Sequence, residues 1–182
     1  MLSFTQPRGF TLIELMIAMA IAVLLLLLAA PMYSVWLADS QIRNAAESIA
    51  GGMRFAQAAA VKRNRPVEFV LDKTTATGSW TARLPAVDAD LAEDLEVGVF
   101  AEGAVRVDFD PRPTAATTVT FSPLGRIVPN AGGTTTLTEV RVTIPPPPTG
   151  TRPLRVLVGG ARTGIKICDP AWPATDPKGC PP

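Results

Sequence analysis

The N-terminal part of the chain carries one long apolar run. From Phe10 to Leu37 every residue is uncharged except Glu14, and most are Leu, Ala, Ile, Val or Met. As a helix, the part from Leu15 to Leu37 is about 35 Å long, which is enough to cross the hydrocarbon core of a bilayer. The run therefore predicts a membrane helix with a single carboxylate near its start.

A helical periodicity continues beyond this run. Apolar or small residues recur in alternating steps of four and three, which places them on one helix face: Ile42, Ala46, Ile49, Met53, Ala56 and Ala60. Most other positions are polar, and Pro66 cannot continue the helix. The pattern predicts one helix from Phe10 to about Arg63, on the order of 80 Å long. Within it, Gly51-Gly52 is the place where a bend or a close packing contact is expected.

After Pro66 the pattern changes to short, β-rich runs. Several of them alternate apolar and polar residues with period two, as a half-buried strand does. The predicted strands are Val67–Leu71, Trp80–Leu84, Leu95–Phe100, Val105–Phe109, Thr118–Phe121, Arg126–Val128, Leu137–Ile144, Leu154–Val158 and Ile165–Cys168. The fold class that follows is α+β, with a long N-terminal helix packed on a mostly antiparallel β-sheet domain.

Two proline-containing segments are predicted to connect strands. The run from Phe121 to Arg126 contains Pro123 and Gly125, which preset the dihedral angles of a hairpin turn. The prolines from Pro145 to Pro148 predict an exposed connection with polyproline geometry. No linker is long enough to separate a second domain after the helix.

Composition narrows the function classes. The chain has 182 residues, a mass of 19.2 kDa, a net charge of +1 and no histidine. This near-neutral balance argues against a general polyanion binder. The absence of histidine removes the commonest general base and the commonest metal ligand.

The position of Glu14 indicates a partner for its charge. A carboxylate near the end of a membrane helix costs about 1–3 kcal/mol, and the run offers no cation. If the chain is cut between Gly9 and Phe10, the new terminal amine of another copy supplies that cation. An ordinary signal peptide or a simple membrane anchor explains neither Glu14 nor its spacing from Gly9.

The residues around this charge resemble a known processing signal. The run Arg8-Gly9-Phe10-Thr11-Leu12-Ile13-Glu14-Leu15-Met16, followed by about twenty apolar residues, resembles the type III signal of type IV pilins and pseudopilins. Pro31 stands where those proteins carry a helix-kinking proline. The resemblance implies that a prepilin peptidase cleaves after Gly9 and methylates Phe10, and that Glu14 is the assembly carboxylate.

The layout narrows the resemblance to one branch. The run from Ala56 to Val67, the turn from Phe121 to Arg126 and the C-terminal cysteines are similar to minor pilins of the type II secretion protein H and FimT/FimU branch. This similarity implies a structural subunit that helps to initiate or cap a type IV pilus or a type II secretion pseudopilus. Its partners would be other major and minor pilins, the prepilin peptidase and the inner-membrane assembly platform.

The same resemblance implies a division of the chain and its location. Residues 1–9 would be the leader peptide, 10–37 the transmembrane and assembly helix, 38–65 the amphipathic half, and 66–182 the periplasmic β-rich domain. The protein would cross the bacterial inner membrane once and then enter a filament. No cofactor is expected.

The two cysteines, Cys168 and Cys180, would close a small proline-rich loop. In an oxidising periplasm a disulfide is the expected state, contributing ~2–3 kcal/mol. A metal pair is the competing interpretation, but two cysteines without histidine make a poor zinc site. The disulfide is therefore favoured, and no metal is expected.

The charge distribution raises DNA binding as an alternative function. Eight acidic residues lie between Val87 and Asp110, and the C-terminal part is richer in cations. Some FimT-type pilins bind DNA through C-terminal basic residues during natural transformation, and Arg162 and Lys166 lie in a comparable place. Alternating charges on strands are more often a solvated face, and Trp172 is the one aromatic residue nearby. The structural role is therefore preferred.

Two further readings of the polar residues are weaker. The acidic segment is interpreted as a solvated loop, because Asp88 and Asp90 lack the remaining spacing of an EF-hand calcium site. An enzyme is not expected, because no acid–base or nucleophile set can be selected from the sequence. In particular, nothing in the spacing of the acidic residues selects a glycosidase-like pair.

Overall fold

A computed structural model describes residues 11–73, 78–86, 92–100, 107–159 and 164–181. The first element is α1, Leu12–Arg63, which starts at the N-cap Thr11. It ends at Asn64, whose left-handed conformation (φ 50°) lets the last carbonyls accept backbone hydrogen bonds. The predicted single helix is confirmed, although Phe10 lies outside the described residues.

The described residues after α1 form two antiparallel sheets. Their strands are β1 Val67–Asp72, β2 Ser79–Leu84, β3 Glu93–Val99, β4 Asp108–Arg112, β5 Thr118–Phe121, β6 Ile127–Val128, β7 Glu139–Thr143, β8 Leu154–Val158 and β9 Ile165–Cys168. One sheet has the order β3-β2-β1-β5-β6, and the other has the order β4-β7-β8-β9. The predicted fold class, a long helix on a mostly antiparallel β domain, is confirmed.

One strand is shifted by three residues from its sequence-based prediction. The alternation from Val105 to Phe109 predicts a strand there, but β4 begins at Asp108 and runs through Pro111; Val105 and Arg106 lie outside the described residues. β4 is an edge strand, where a proline does not break the ladder because one side of the strand needs no partner. The alternating pattern alone did not show that the strand lies at an edge.

The core forms where the amphipathic half of α1 meets the sheets. Every apolar position of the predicted helix face is fully buried: Ile42, Ala46, Ile49, Met53, Ala56 and Ala60. Against them pack the inward-facing residues of both sheets, such as Phe69, Val119, Val140 and Val156. The second half of α1 is therefore an integral part of the domain.

Trp80 packs between α1 and the first sheet, beside the pair Gly51-Gly52. Its indole lies between Gly52 of α1 and Gly98 of β3, close enough that a methyl group on either glycine would collide with the ring. The indole N–H donates to Ser48 Oγ at 3.1 Å, and the ring stacks on Phe69. Of the two outcomes expected at Gly51-Gly52, close packing is the one observed, and it occurs at Gly52.

The predicted connections mark opposite ends of the domain. The turn from Phe121 to Arg126 joins β5 to β6 with Gly125 at φ +71°, and Gln57 Nε2 of α1 donates to the Gly125 carbonyl. The prolines 145–148 connect β7 to β8, and three of them are exposed. Gln57 lies near the C-terminal end of α1. The proline connection instead leads to Arg152, whose N–H donates to Asp39, and Asp39 lies near the middle of α1.

The buried polar side chains of Glu68 and Asn130 have hydrogen-bond partners. Glu68 is buried on β1 and pairs with Arg83 on β2 at 3.2 Å. Asn130 is buried beside β5, where its amide donates to the carbonyls of Thr118, Thr134 and Thr135. On β7 the hydrogen bond with Glu139 raises the pKa of Arg141 above its ordinary value, because the carboxylate favours the charged guanidinium.

Candidate functional site

The first half of α1 is an exposed apolar surface. From Leu12 to Leu28 every side chain is exposed, and Met32 and Trp36 continue this surface towards the domain. A water-soluble monomer rarely exposes a contiguous apolar patch larger than a few hundred Å². This surface therefore needs a lipid or protein environment to cover it.

Glu14 lies in the first turn of that exposed helix. Its N–H donates to Oγ1 of the N-cap residue Thr11 at 3.3 Å, and it is the acidic residue of the first turn. The helix dipole favours a negative charge at this end. Within the described residues no ion pair involves the Glu14 carboxylate, so its charge is presented outward, while Gly9 and Phe10 lie outside the described residues.

Thr11 caps the helix at Glu14, a role that the sequence analysis did not predict. The spacing Thr11-x-x-Glu14 is that of a capping box, in which a threonine side chain caps the N–H of the residue three positions on. In the sequence the same residues also belong to the processing motif, which obscures the capping signal. Thr11 orients the backbone that carries Glu14.

A bend divides the apolar half of α1. The parts Leu12–Leu28 and Met32–Arg63 meet at 43°, with Pro31 in the break, where the missing N–H weakens the helix. In the described part of the chain, no single unbroken helix meets the length and hydropathy criteria of a membrane span, but these two parts meet them together.

An aromatic pair lies where the apolar surface approaches the domain. The rings of Tyr33 and Trp36 are 5.9 Å apart, and both side chains are exposed. Tyrosine and tryptophan favour the boundary between hydrocarbon and water, because one end of each ring is apolar and the other can hydrogen-bond.

The C-terminal segment packs beside this level of α1. Cys168 and Cys180 form a disulfide, which confirms the predicted pairing. Lys166 Nζ donates to the Gly179 carbonyl at 2.9 Å, and Asp169 N–H donates to the Lys178 carbonyl at 2.8 Å. We call residues 168–180 the C-terminal loop; it is ordered by its own hydrogen bonds as well as by the disulfide.

A cavity of about 680 Å³ separates the C-terminal loop from α1. Its helix side is lined by residues spaced by four, Val35, Asp39, Arg43 and Glu47. Trp172 and Lys178 line the loop side. We call this region, where α1, Arg152 and the C-terminal loop meet, the foot of the domain.

Of the two residues proposed for DNA contact, the structure describes only Lys166. Lys166 is engaged with the C-terminal loop, and Arg162 lies outside the described residues. Three other cations, Arg54, Lys62 and Arg126, line a groove of about 1090 Å³ between the end of α1, the β5–β6 turn and the start of β9. Arg54 donates to the Ile165 carbonyl across this groove.

The acidic segment is not one solvated loop. Glu93, Asp94 and Glu96 lie on the exposed edge strand β3, and Asp108 and Asp110 lie on β4 with Lys73 and Arg112 as ion-pair partners. Asp88, Asp90 and Glu102 lie outside the described residues. In the part of the chain that is described, no group of three or more Cys, Asp or Glu residues is placed to hold a metal ion.

Comparison with known proteins gives a family match. The model of the family "type II transport protein GspH" matches residues 45–161, and that of the prokaryotic N-terminal methylation motif matches residues 6–30. No curated protein sequence matches the chain significantly.

Two crystal forms of the type IV minor pilin FimU of Pseudomonas aeruginosa are similar in structure. The P21 form has a TM-score of 0.50 at 18% identity, covering 78% of this chain and 96% of FimU. The P65 form has a TM-score of 0.47 at 17% identity, covering 69% and 90%. The likeness to the P21 form supports a common fold.

Proposed function

The chain belongs to the GspH family of type II transport proteins, and from this premise we propose that it is a minor pilin or pseudopilin that helps to initiate or cap a filament. The filament is either a type II secretion pseudopilus or a type IV pilus. The observation that carries the proposal is α1 itself. One half of this helix is buried in the β domain and the other half is an exposed apolar surface.

The proposed life cycle follows from that division of the helix. Residues 1–9 are the leader, and prepilin peptidase removes it at the cytoplasmic face of the inner membrane. Residues 10–37 hold the chain in the membrane, and residues 38–65 carry the periplasmic domain, 66–182. Platform proteins then transfer the subunit into a filament, where neighbouring pilins replace lipid around the apolar surface.

The proposed role of Glu14 is to fix the position of the subunit's helix along the neighbouring helices of the filament. Apolar contacts between helices have no preferred position along the axis, because sliding changes them little. A carboxylate and the terminal amine of a neighbouring Phe10 attract each other strongly in a low-dielectric filament core, and only in one register. The protein is thus a structural subunit, and we assign it no catalytic role.

Mass spectrometry of sheared filaments tests this function. We expect the protein at far lower abundance than the major subunit, with a mature chain that begins at N-methylated Phe10. A protein in its host that still begins at Met1, or has been trimmed beyond Ala30, would contradict the proposal. An abundance equal to that of the major subunit would contradict the minor role.

A DNA-binding minor pilin is the second candidate, and the cation-lined groove is the observation that favours it. Among the described residues, no carboxylate lies within ion-pair distance of Lys62 or Arg126. Such exposed cations can neutralise phosphates, and binding through them weakens steeply as salt rises.

A gel-shift assay with the periplasmic part, starting near Trp36, separates the two candidates. If DNA is a ligand, we expect a shift at low salt that is reduced in Lys62→Gln/Arg126→Gln or in Arg162→Gln/Lys166→Gln. No shift at low salt, or a shift unchanged in both double variants, would remove DNA uptake as the function. The Arg43→Gln variant, on the opposite end of the domain half of α1, is the matched control.

A further inference from the structure

The apolar run is longer than the membrane it would cross. Measured along its bent axis, the run from Phe10 to Leu37 is about 42 Å long as a helix, against about 30 Å of hydrocarbon. If Glu14 lies near the inner boundary, the excess places Tyr33 and Trp36 in the headgroup layer on the outer side. This step rests on the proposed membrane anchor.

The foot of the domain begins at the same level of α1. Val35 lines the foot cavity together with Trp172 and Lys178 of the C-terminal loop. The adjoining strand connection is held there by the hydrogen bond from Arg152 N–H to Asp39 Oδ1, at 2.9 Å. Because α1 runs without a break from Met32 to Arg63, the loop keeps this level relative to Trp36.

The exposed residues of the C-terminal loop suit a membrane boundary. Trp172 is 40% exposed, and Lys178 Nζ lies 5.5 Å from the centre of its ring. An indole can bury its apolar body while its N–H remains hydrated, and a lysine can extend its ammonium to phosphate. The loop's two carboxylates face its own backbone, since Asp169 Oδ1 accepts from Ala171 N–H and Asp176 Oδ1 accepts from Lys178 N–H.

We propose that the C-terminal loop rests on the phospholipid headgroup layer through Trp172 and Lys178. Together with Tyr33 and Trp36 it gives the domain two points of contact with the bilayer. Two contacts fix the tilt of the domain before filament entry, whereas the helix alone would leave it free to rock. The disulfide keeps the loop shaped for this contact, which gives Cys168 and Cys180 a role beyond the stability of the tail.

Tryptophan quenching by brominated lipids tests the proposal, because the chain has three tryptophans in three environments. The full-length protein is reconstituted into phosphatidylcholine vesicles with bromines either near the glycerol backbone or at the bilayer centre. Trp80 is buried in the domain and is kept in every variant as the unquenched background. Trp36→Phe isolates the signal of Trp172, Trp172→Phe isolates that of Trp36, and the double variant gives the background.

We expect the Trp172 signal to fall by about half with shallow bromines and to change little with deep ones, as for side chains in the aromatic belt. If Trp36 is quenched by shallow bromines and Trp172 is not, the loop does not rest on the membrane. That result would leave the proposed membrane anchor intact. If neither is quenched, the membrane anchor is wrong and this proposal is overturned with it. Quenching of Trp172 by deep bromines would also overturn it, because the loop would then be inserted rather than resting at the surface.

Discussion

Glu14→Ala should leave the protein in the membrane but remove it from filaments. Membrane insertion depends on the apolar run, which this change makes more apolar. Filament entry would bring the neighbouring Phe10 amine into an apolar core without a carboxylate. Breaking a buried ion pair costs about 3–5 kcal/mol, which lowers incorporation by more than about a hundredfold. Quantitative immunoblots of membranes and of sheared filaments, with an antibody against the β domain, measure both effects.

Two matched variants separate charge from helix capping. Glu14→Gln keeps the size and the hydrogen-bonding capacity of the side chain but not its charge, so we expect a defect close to that of Glu14→Ala. Thr11→Ala removes the N-cap at a cost of about 1 kcal/mol to the helix end and should reduce incorporation far less. Normal recovery of Glu14→Ala in filaments would disprove the pairing proposal, as would equal defects in Thr11→Ala and Glu14→Ala.

Alanine at two adjacent glycines should change stability in opposite directions. Gly52 packs against Trp80, and an added methyl group would lie 2.6 Å from two indole carbons, so Gly52→Ala should destabilise the domain by about 1–3 kcal/mol. At Gly51 nothing lies within 4 Å of the added methyl group. Gly51→Ala should therefore stabilise the helix by about 0.5–1 kcal/mol.

Chemical denaturation of the two variants in detergent, in a Trp36→Phe/Trp172→Phe background that leaves Trp80 as the fluorophore, measures the difference. The pair shares composition, helix and chemical change, so a general effect of helix propensity moves both in the same direction. A Gly52→Ala protein as stable as Gly51→Ala would show that α1 and β2 do not meet through the indole as described.

Much of this architecture was predictable from local patterns. The alternating steps from Ile42 to Ala60 fix a helix face, and all six positions are buried. Three predicted strands, Thr118–Phe121, Leu154–Val158 and Ile165–Cys168, coincide with β5, β8 and β9. The predictions of these segments are correct because the periodicity and the neighbouring turn residues indicate the same element with the same bounds. The processing motif is equally local, so the hypothesis for Glu14 needs no knowledge of the fold.

The remaining features depend on distant pairings. The division into two sheets is decided by partners such as β1 with β5, which are far apart in sequence. The contact of Trp80 with Gly52 and Gly98 needs three elements at once, and the sequence showed only that Gly51-Gly52 was unusual. In the foot, likewise, Asp39 contacts Arg152, although the two residues are 113 positions apart in the sequence. Periodicity carries no information about such contacts, because it describes one element at a time.

The position of the C-terminal loop at the foot has a practical consequence for labelling. An epitope or fluorescent protein joined to the end of this loop would lie near the foot cavity, close to the apolar half of α1. The turn at Leu124, which is 81% exposed, lies near Val61, about 39 Å further along α1. A short tag inserted there would lie at the end of the domain that is far from the apolar half of α1, and should leave the contacts of that half undisturbed.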